Sequence, residues 1–205
     1  MNTQKKELML YWVGHKGHPE IEGTMGQYDS PIGKIHLVEN IRDISTLDID
    51  NKKVAYVTQT TLSMDDTKDI INNLIKKYPN IMSPSKSDIC YATQNRQDAV
   101  KSILKYCDYL LVIGSVNSSN SRRLVELALK NNIPSRLIDS FHDIDLNELK
   151  NKKSIGITAG ASAPQILLAQ VTEYLIDQGA VMNNIKHEAV EENIIFSIPK
   201  ELRNL

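Results

Sequence analysis

A histidine and a carboxylate lie two positions apart near the start of the chain, in Gly17-His18-Pro19-Glu20. A carboxylate beside an imidazole, at the mouth of a crevice, can supply or relay a proton. The same residues are also typical of a helix start, because proline suits the first helical position and the helix dipole stabilises a carboxylate in the first turn. From the residues alone, both interpretations of His18 and Glu20 stay open.

The chain has two cysteines, Cys90 and Cys107. Two are too few for a disulfide framework, and too few to hold a thiolate metal site without other ligands. Cys90 precedes a predicted helix, whose N-terminus favours the thiolate form. The alternative is a buried, inert thiol, and that is our interpretation of Cys107. Any metal at Cys90 therefore needs further ligands.

Small, hydroxyl and amide residues follow four predicted strands, at the point where each strand ends. They are Gly14-His15, Thr58-Gln59-Thr60-Thr61, Gly114-Ser115 continuing through Asn117-Ser118-Ser119-Asn120-Ser121, and Thr158-Ala159-Gly160-Ala161-Ser162. In open α/β sheets, ligands bind at the carboxyl ends of strands, where helix N-termini offer free N–H groups and a partial positive charge to an anion. The pattern predicts that these clusters converge on one phosphate-bearing ligand.

The run from Asn117 to Ser121 has a structural alternative, an Asx turn followed by a helix N-cap. A cap needs one such side chain, whereas five consecutive residues here are Asn or Ser. That excess favours a binding role. Ser63 with Asp66 likewise predicts a capping box, which leaves the two threonines before it unassigned.

Short runs rich in Val, Ile and Leu alternate with longer stretches of helical period, which predicts an α/β protein with parallel sheets. Strands are predicted at residues 8–14, 53–58, 108–114, 135–139, 154–158 and 193–198. Helices are predicted at residues 18–26, 63–78, 93–106, 119–131, 144–150 and 163–178. We assign Val100, Ile103 and Leu104 to the core, and we expect Arg122 and Arg123 to face solvent.

Prolines at positions 79 and 84 interrupt this pattern, which restarts near Asp88 and places a boundary close to residue 86. We predict one α/β lobe over residues 1–86 and a second, similar lobe over residues 87–180. A C-terminal tail with a strand follows over residues 181–205. The length of 205 residues is enough for two hydrophobic cores.

Charge and hydropathy exclude several classes of function. The 24 basic and 25 acidic side chains balance, so bulk charge does not favour nucleic acid as a partner. No apolar run approaches the ~20 residues that span a bilayer, and the stretch from Leu8 to Val13 is too short for a secretory signal. These features predict a soluble, cytoplasmic protein without a membrane partner.

Five segments, in chain order, carry the most specific pattern. They are GHPEIEGTMGQ at residues 17–27, TQTTLS at 58–63, DICYATQNRQ at 88–97, NSSNS at 117–121 and TAGASAP at 158–164. Together they closely resemble the 4-hydroxy-3-methylbut-2-enyl diphosphate reductases, the LytB-type iron-sulfur enzymes that end the methylerythritol phosphate route to isoprenoids. Residues 191–194 and 199–203 resemble the C-terminus of that family, so the resemblance covers nearly the whole chain.

The resemblance implies a three-lobed protein in which similar α/β lobes surround a 4Fe-4S cluster, each lobe contributing one cysteine and part of the diphosphate pocket. Two lobes are visible in this sequence. The other cluster cysteines and two histidines of the pocket belong to a further N-terminal domain in that family. We therefore expect this chain to be the C-terminal two-thirds of such a reductase, from a truncated or interrupted gene, and to be catalytic only with a separate N-terminal fragment.

The resemblance also implies a role for each matching residue. Cys90 resembles a cluster ligand, Glu20 the proton donor and His18 an imidazole that contacts the substrate. Thr60 resembles the residue that positions the substrate and the proton path. The residues that resemble the diphosphate-binding set are Ser118, Ser119, Asn120 and Ser162.

The activity implied is reductive dehydroxylation of 4-hydroxy-3-methylbut-2-enyl diphosphate to isopentenyl and dimethylallyl diphosphate, with electrons from a ferredoxin or flavodoxin. One alternative is a non-catalytic remnant that only binds diphosphate. Another is an unrelated phosphosugar-binding α/β module. The Glu20 and Cys90 motifs disfavour that module, because binding a sugar phosphate requires neither residue.

Overall fold

The computed structural model describes residues 8–27, 34–47, 53–183 and 197–199. These residues form two three-stranded parallel sheets with helices packed against them. The predicted α/β fold with two similar parallel-sheet lobes is therefore confirmed.

The first lobe contains the strands β1 (Leu8–Val13), β2 (Lys34–Val38) and β3 (Lys53–Thr58), and the helices α1 (Pro19–Gln27), α2 (Ile41–Thr46) and α3 (Met64–Lys77). Its strand order is β2-β1-β3, so the first strand is central. Alternate residues of β1, Tyr11 and Val13, are buried in one core with Ile70 and Leu74 of α3. This alternation is what the period of two in a strand requires.

The second lobe contains the strands β4 (Tyr109–Ile113), β5 (Ser135–Ile138) and β6 (Ile155–Ala159), and the helices α4 (Tyr91–Ile103), α5 (Ser119–Lys130), α6 (Leu146–Leu149) and α7 (Gln165–Asp177). Its order is β5-β4-β6, again with the first strand central. Every residue of β4 is buried, because α4 and α5 pack on one face of the sheet and α7 on the other. Val100, Ile103 and Leu104 pack in this core, as predicted.

Two elements were missing from the sequence prediction, β2 and α2. Strand β2 lies at the edge of its sheet, and only its last residue, Val38, is fully buried, so its hydrophobic signal is weak. Helix α2 has a capping box formed by Asn40 and Asp43, which was a readable signal in the sequence. The predicted strand at 193–198 lies, apart from its last two residues, outside the described residues.

The boundary predicted near residue 86 stays a prediction. The last strand of the first sheet is β3 and the first strand of the second is β4, on either side of that position. However, Asp88 accepts a hydrogen bond from the Thr58 N–H at 2.9 Å, so the segment that enters the second lobe is anchored on the first. None of the helices in the described ranges is long and apolar enough to cross a membrane.

Candidate diphosphate and proton-transfer site

Glu20 and Thr60 meet at the carboxyl end of the first sheet. Helix α1 begins just after β1, and β3 is the neighbour of β1, so the two residues lie side by side. The Thr60 hydroxyl donates to Glu20 Oε2 at 3.0 Å, and the Thr60 N–H lies 3.3 Å from both carboxylate oxygens. The carboxylate of Glu20 is therefore held in one orientation by a residue 40 positions away.

Thr60 also contacts the cysteine of the third motif. The Cys90 N–H donates to the Thr60 carbonyl oxygen at 2.9 Å. Cys90 is the N-cap of α4, yet its thiol makes no capping hydrogen bond, and the residue is half-buried. The carboxylate of Glu20 and the hydroxyl of Thr60 are thus bonded to each other, and the backbone of Cys90 is bonded to the same threonine at the end of β3.

His18 lies at the start of helix α1, in agreement with the interpretation of its motif as a helix start. Its Nδ1 accepts the Glu20 N–H at 3.3 Å and so caps the first turn of α1, which begins at Pro19 as expected. His18 also lines a cavity of about 380 Å³ that it shares with Ser119 of the second lobe. Lys16 and Arg122 border the same cavity and both are exposed, so an anion there would meet positive charge.

Ser118 is the N-cap of α5, in agreement with the interpretation of residues 117–121 as an Asx turn followed by a helix N-cap. Its Oγ accepts the Ser121 N–H at 3.3 Å and the Ser121 hydroxyl at 3.0 Å. The capping role accounts for Ser118 but not for the residues that follow it.

Ser119 joins the second lobe to the first. Its Oγ accepts the Thr61 hydroxyl at 3.0 Å and lies 3.4 Å from Nε2 of Gln59. Gln59 is completely buried, and its Oε1 accepts the His15 N–H at 3.1 Å. Sequence reasoning counted Gln59 only as part of a polar cluster. The available signal was an amide side chain directly after a buried strand, where a polar residue needs partners.

Asn120 is a buried amide without a partner. It is 5% exposed, and neither its Oδ1 nor its Nδ2 makes a hydrogen bond within the part of the chain that the structure describes. Gly160 lies beside it, since a Cβ added there would be 3.5 Å from Nδ2. Leaving a buried polar group unpaired costs about 1–3 kcal/mol. A ligand with polar atoms would remove that cost.

Ser162 stands apart from the other predicted site residues. It is exposed on the turn after β6, and no hydrogen bond within residues 8–27, 34–47 and 53–183 joins it to them. Side-chain hydrogen bonds therefore join three of the four strand ends, the fourth approaches Asn120 through Gly160, and the role of Ser162 stays a prediction.

The expectation that Arg123 faces solvent was wrong, whereas Arg122 is exposed as expected. The half-buried Arg123 guanidinium contacts Nε2 of His15 and the carboxylate of Glu126. Burial, and secondly the nearby Arg123 charge, lower the pKa of His15. Because a guanidinium can only donate, Nε2 of His15 is the acceptor in this contact between the lobes.

An iron-sulfur cluster needs several ligands, and the described ranges contain no group of three or more His, Cys, Asp and Glu side chains that could hold a metal ion. The uncapped thiol of Cys90 fits one ligand position of such a cluster. Cys107 does not fit one, because it packs against Gly156 in the second lobe and burial raises its pKa. The remaining ligands would come from outside the described residues.

Two parallel-sheet lobes that present hydroxyl, amide and carboxylate groups at the carboxyl ends of their strands define an α/β protein with a candidate anion-binding site. The chain belongs to the LytB protein family, whose model matches residues 1–176.

Relatives of this chain are named 4-hydroxy-3-methylbut-2-enyl diphosphate reductase. The protein from Mannheimia succiniciproducens is 51% identical over 203 residues, which cover 98% of this chain and 64% of the relative. The protein from Saccharophagus degradans is 54% identical over 193 residues, which cover 93% of this chain and 62% of the relative. This chain thus spans about 64% of the length of the relatives it matches.

One solved structure is also similar. The E-1-hydroxy-2-methyl-but-2-enyl-4-diphosphate reductase from Plasmodium falciparum matches with a TM-score of 0.72 and 39% identity. The match covers 82% of this chain and 51% of that protein. This likeness agrees with the two-lobed α/β fold.

Proposed function

We propose that this chain provides two lobes of a reductase that acts on 4-hydroxy-3-methylbut-2-enyl diphosphate. The observation that carries the proposal is that Thr60 bonds both the carboxylate of Glu20 and the backbone of Cys90, which places the two residues at one strand end. An acid, its hydroxyl partner and a cluster thiolate are the groups that a reductive dehydroxylation requires close together. Family membership supports this choice of reaction.

The overall reaction consumes two electrons and two protons per substrate. The allylic C–O bond breaks, the hydroxyl leaves as water with one proton, and the second proton forms a C–H bond to give isopentenyl or dimethylallyl diphosphate. Glu20 supplies a proton, and the Thr60 hydroxyl orients its carboxylate. Cys90 would be one ligand of a 4Fe-4S cluster, which when bound supplies electrons delivered by a ferredoxin or flavodoxin.

The diphosphate of the substrate is held by uncharged donors of the second lobe, Ser118, Ser119, Asn120 and Ser162, together with His18 of the first. The unpaired amide of Asn120 and the N-terminus of α5 support this arrangement, because both offer hydrogen-bond donors to an anion. Lys16 and Arg122 at the cavity border add attraction for a negatively charged ligand.

The test uses this chain produced together with the N-terminal lobe of a family relative and reconstituted with iron and sulfide without oxygen. We expect Glu20→Gln to lower turnover about 10²–10⁴-fold, as loss of a positioned general acid does. Thr60→Val should lower turnover and Thr60→Ser should restore most of it, since only the serine keeps the hydroxyl. Ser140→Ala is the control, because this half-buried serine caps the short 3-10 helix Phe141–Asp143 and, within the described ranges, makes no hydrogen bond to the site residues.

Wild-type turnover in Glu20→Gln, with the cluster intact by visible absorption, would overturn the assignment of Glu20. A 4Fe-4S cluster formed at full occupancy on the 205-residue chain alone would contradict the need for outside ligands, since this sequence has two cysteines.

The second candidate is a diphosphate-binding protein without catalysis. The unpaired amide of Asn120 fits diphosphate binding in either function. The second candidate is favoured by the lack of a group of three or more metal-ligating side chains in the described residues, because binding alone needs no cluster. Titration calorimetry with the substrate separates the two functions. Binding that Ser118→Ala and Ser162→Ala abolish, without turnover in any mixture of lobes, supports the binding protein.

A further inference from the structure

Gln59 has a fixed amide orientation. Its Oε1 accepts the backbone N–H of His15 at 3.1 Å, and a backbone N–H can only donate. The amide nitrogen must therefore point the other way, toward the hydroxyls of Thr61 and Ser119. Because Gln59 is completely buried, water cannot replace any of these partners.

The Gln59 side chain faces the hydroxyls of Thr61 and Ser119 with its amide N–H groups, which are donors only. Nε2 donates to Thr61 Oγ1 at 2.9 Å and to Ser119 Oγ at 3.4 Å, and the Thr61 hydroxyl donates to Ser119 Oγ at 3.0 Å. A serine hydroxyl has one proton and two acceptor sites. Ser119 Oγ can therefore accept from both Gln59 Nε2 and the Thr61 hydroxyl, which leaves its own proton for a third group.

The free proton belongs to the residue that borders the cavity. Ser119 lines the cavity of about 380 Å³, whereas neither Thr61 nor Gln59 is among the residues that line it. The cavity also has Lys16, His18 and Arg122 on its border, and an anion bound there offers acceptors only. A hydroxyl whose acceptor sites are already occupied binds such a ligand through its proton.

We propose that Gln59 is a positioning residue that presents the Ser119 hydroxyl as a hydrogen-bond donor to the diphosphate of the substrate. This role rests on the proposed function, because it requires Ser119 to contact the diphosphate. Gln59 itself touches the ligand nowhere in this scheme. Gln59 belongs to the first lobe, and it acts by orienting the Ser119 hydroxyl of the second lobe.

The test is a double-mutant cycle on the affinity of the 205-residue chain for inorganic pyrophosphate, measured by titration calorimetry. We expect Ser119→Ala and Gln59→Met each to weaken binding about tenfold, or about 1.4 kcal/mol, since each removes one hydrogen bond to a charged group. The double variant should bind no more weakly than either single variant. Such non-additivity is the readout that a merely structural role of Gln59 would not produce.

A second pair of variants keeps the test independent of how well Gln59→Met folds. Thr61→Val should weaken pyrophosphate binding several-fold and Thr61→Ser should restore it, because serine retains the hydroxyl that orients Ser119. Circular dichroism and the urea midpoint establish that each variant is folded. Thr46→Val, on exposed α2, is the control and should bind as the wild type does.

The possible failures are distinguishable. If Ser119→Ala binds pyrophosphate as tightly as the wild type, or if the wild type does not bind it, the proposed diphosphate site is wrong and this role falls with it. If Ser119→Ala weakens binding but its effect adds to those of Gln59→Met and Thr61→Val, only the role of Gln59 is overturned.

Discussion

The two lobes share one backbone plan and differ in how it is filled. In each sheet, the glycine that follows the central strand donates its N–H to the carbonyl of the last residue of the next strand along the chain. The residue that follows the last strand of the sheet, β3 or β6, donates its N–H to the carbonyl of the last residue of the central strand. These bonds are Gly14 to Val38 at 3.1 Å and Gly114 to Ile138 at 2.9 Å, then Gln59 to Val13 and Gly160 to Ile113, both at 2.8 Å. Equivalent backbone positions are thus about 100 residues apart.

The side chains at equivalent positions of the two lobes differ. Glu20 and Asn120 occupy the same place at the start of α1 and α5, but Glu20 is bonded by Thr60 whereas Asn120 has no partner in the described chain. Gln59 fills the first strand end, and its counterpart in the second lobe is Gly160. The polar side chains at the first end have protein partners, one of them Ser119 of the second lobe, whereas the Asn120 amide at the second end has none in the described residues.

The largest effect we expect comes from adding a methyl group at Gly160, which is closely packed against the start of α5. A Cβ at Gly160 would lie 2.1 Å from Ser121 Oγ and 3.3 Å from Ser121 Cβ, so the buried Ser121 side chain would have to move. Gly160→Ala should lower the free energy of unfolding by about 1–3 kcal/mol, the usual cost of overpacking. Urea denaturation measures this loss.

Two further variants control for the effect at Gly160. Ser121→Ala in the Gly160→Ala background should recover part of the lost stability, because it removes the nearer of the two clashing atoms. Gly23→Ala in α1, where nothing lies within 4 Å, should stabilise by about 0.5–1 kcal/mol. Equal stability of Gly160→Ala and the wild type would contradict the close packing at this strand end.

The second prediction separates stability from binding at Asn120. Asn120→Leu replaces a buried, unpaired amide with an apolar side chain of similar shape, and should stabilise the free chain by about 1 kcal/mol. The same variant should weaken pyrophosphate binding at least about tenfold, because an amide donor is lost. Urea denaturation and titration calorimetry measure the two effects.

Asn73→Leu is the matched control, since Asn73 is half-buried and its amide donates to the Asp69 carbonyl at 2.9 Å. That variant should leave pyrophosphate binding unchanged. A loss of stability in Asn120→Leu without ligand would mean that Asn120 has a structural partner, and the contrast between the two strand ends would disappear.

The smallest effect concerns the contact between the lobes at His15. Burial first, and the Arg123 charge second, lower the pKa of His15 from its ordinary value of 6.5. The unfolded chain therefore binds the proton more readily, so the stability from this contact is present above about pH 6.5 and is lost as the pH falls through the lowered pKa. His15→Gln should lose less stability than the wild type between about pH 7.5 and pH 5.5.

Urea midpoints across this range measure the difference. Burial, and secondly Lys34, also lower the pKa of His36 on β2, so some acid sensitivity should remain in His15→Gln. The variant His36→Gln measures how much of the pH dependence of stability comes from His36 in the first lobe. An identical pH dependence in His15→Gln and the wild type would exclude His15 as the pH-sensitive contact.

Much of the fold was predictable from short segments. The starts of α1 at Pro19 and α5 at Ser119 follow from capping residues, and the buried strand β4 follows from an uninterrupted apolar run. Edge strand β2 was missed because only one of its residues is buried, and periodicity is a signal of burial. The candidate site was predictable as a set of motifs, but the partners of its residues were not.

What the sequence by itself determined is local: which residues cap helices, which strands are buried, and which polar clusters follow each strand. The tertiary structure alone decided that Gln59 meets Ser119 across 60 residues and that His15 meets Arg123 across 108. The reason is physical. Capping and periodicity act within a few residues along the chain, whereas the contacts that orient the site depend on how two separately built sheets pack against each other.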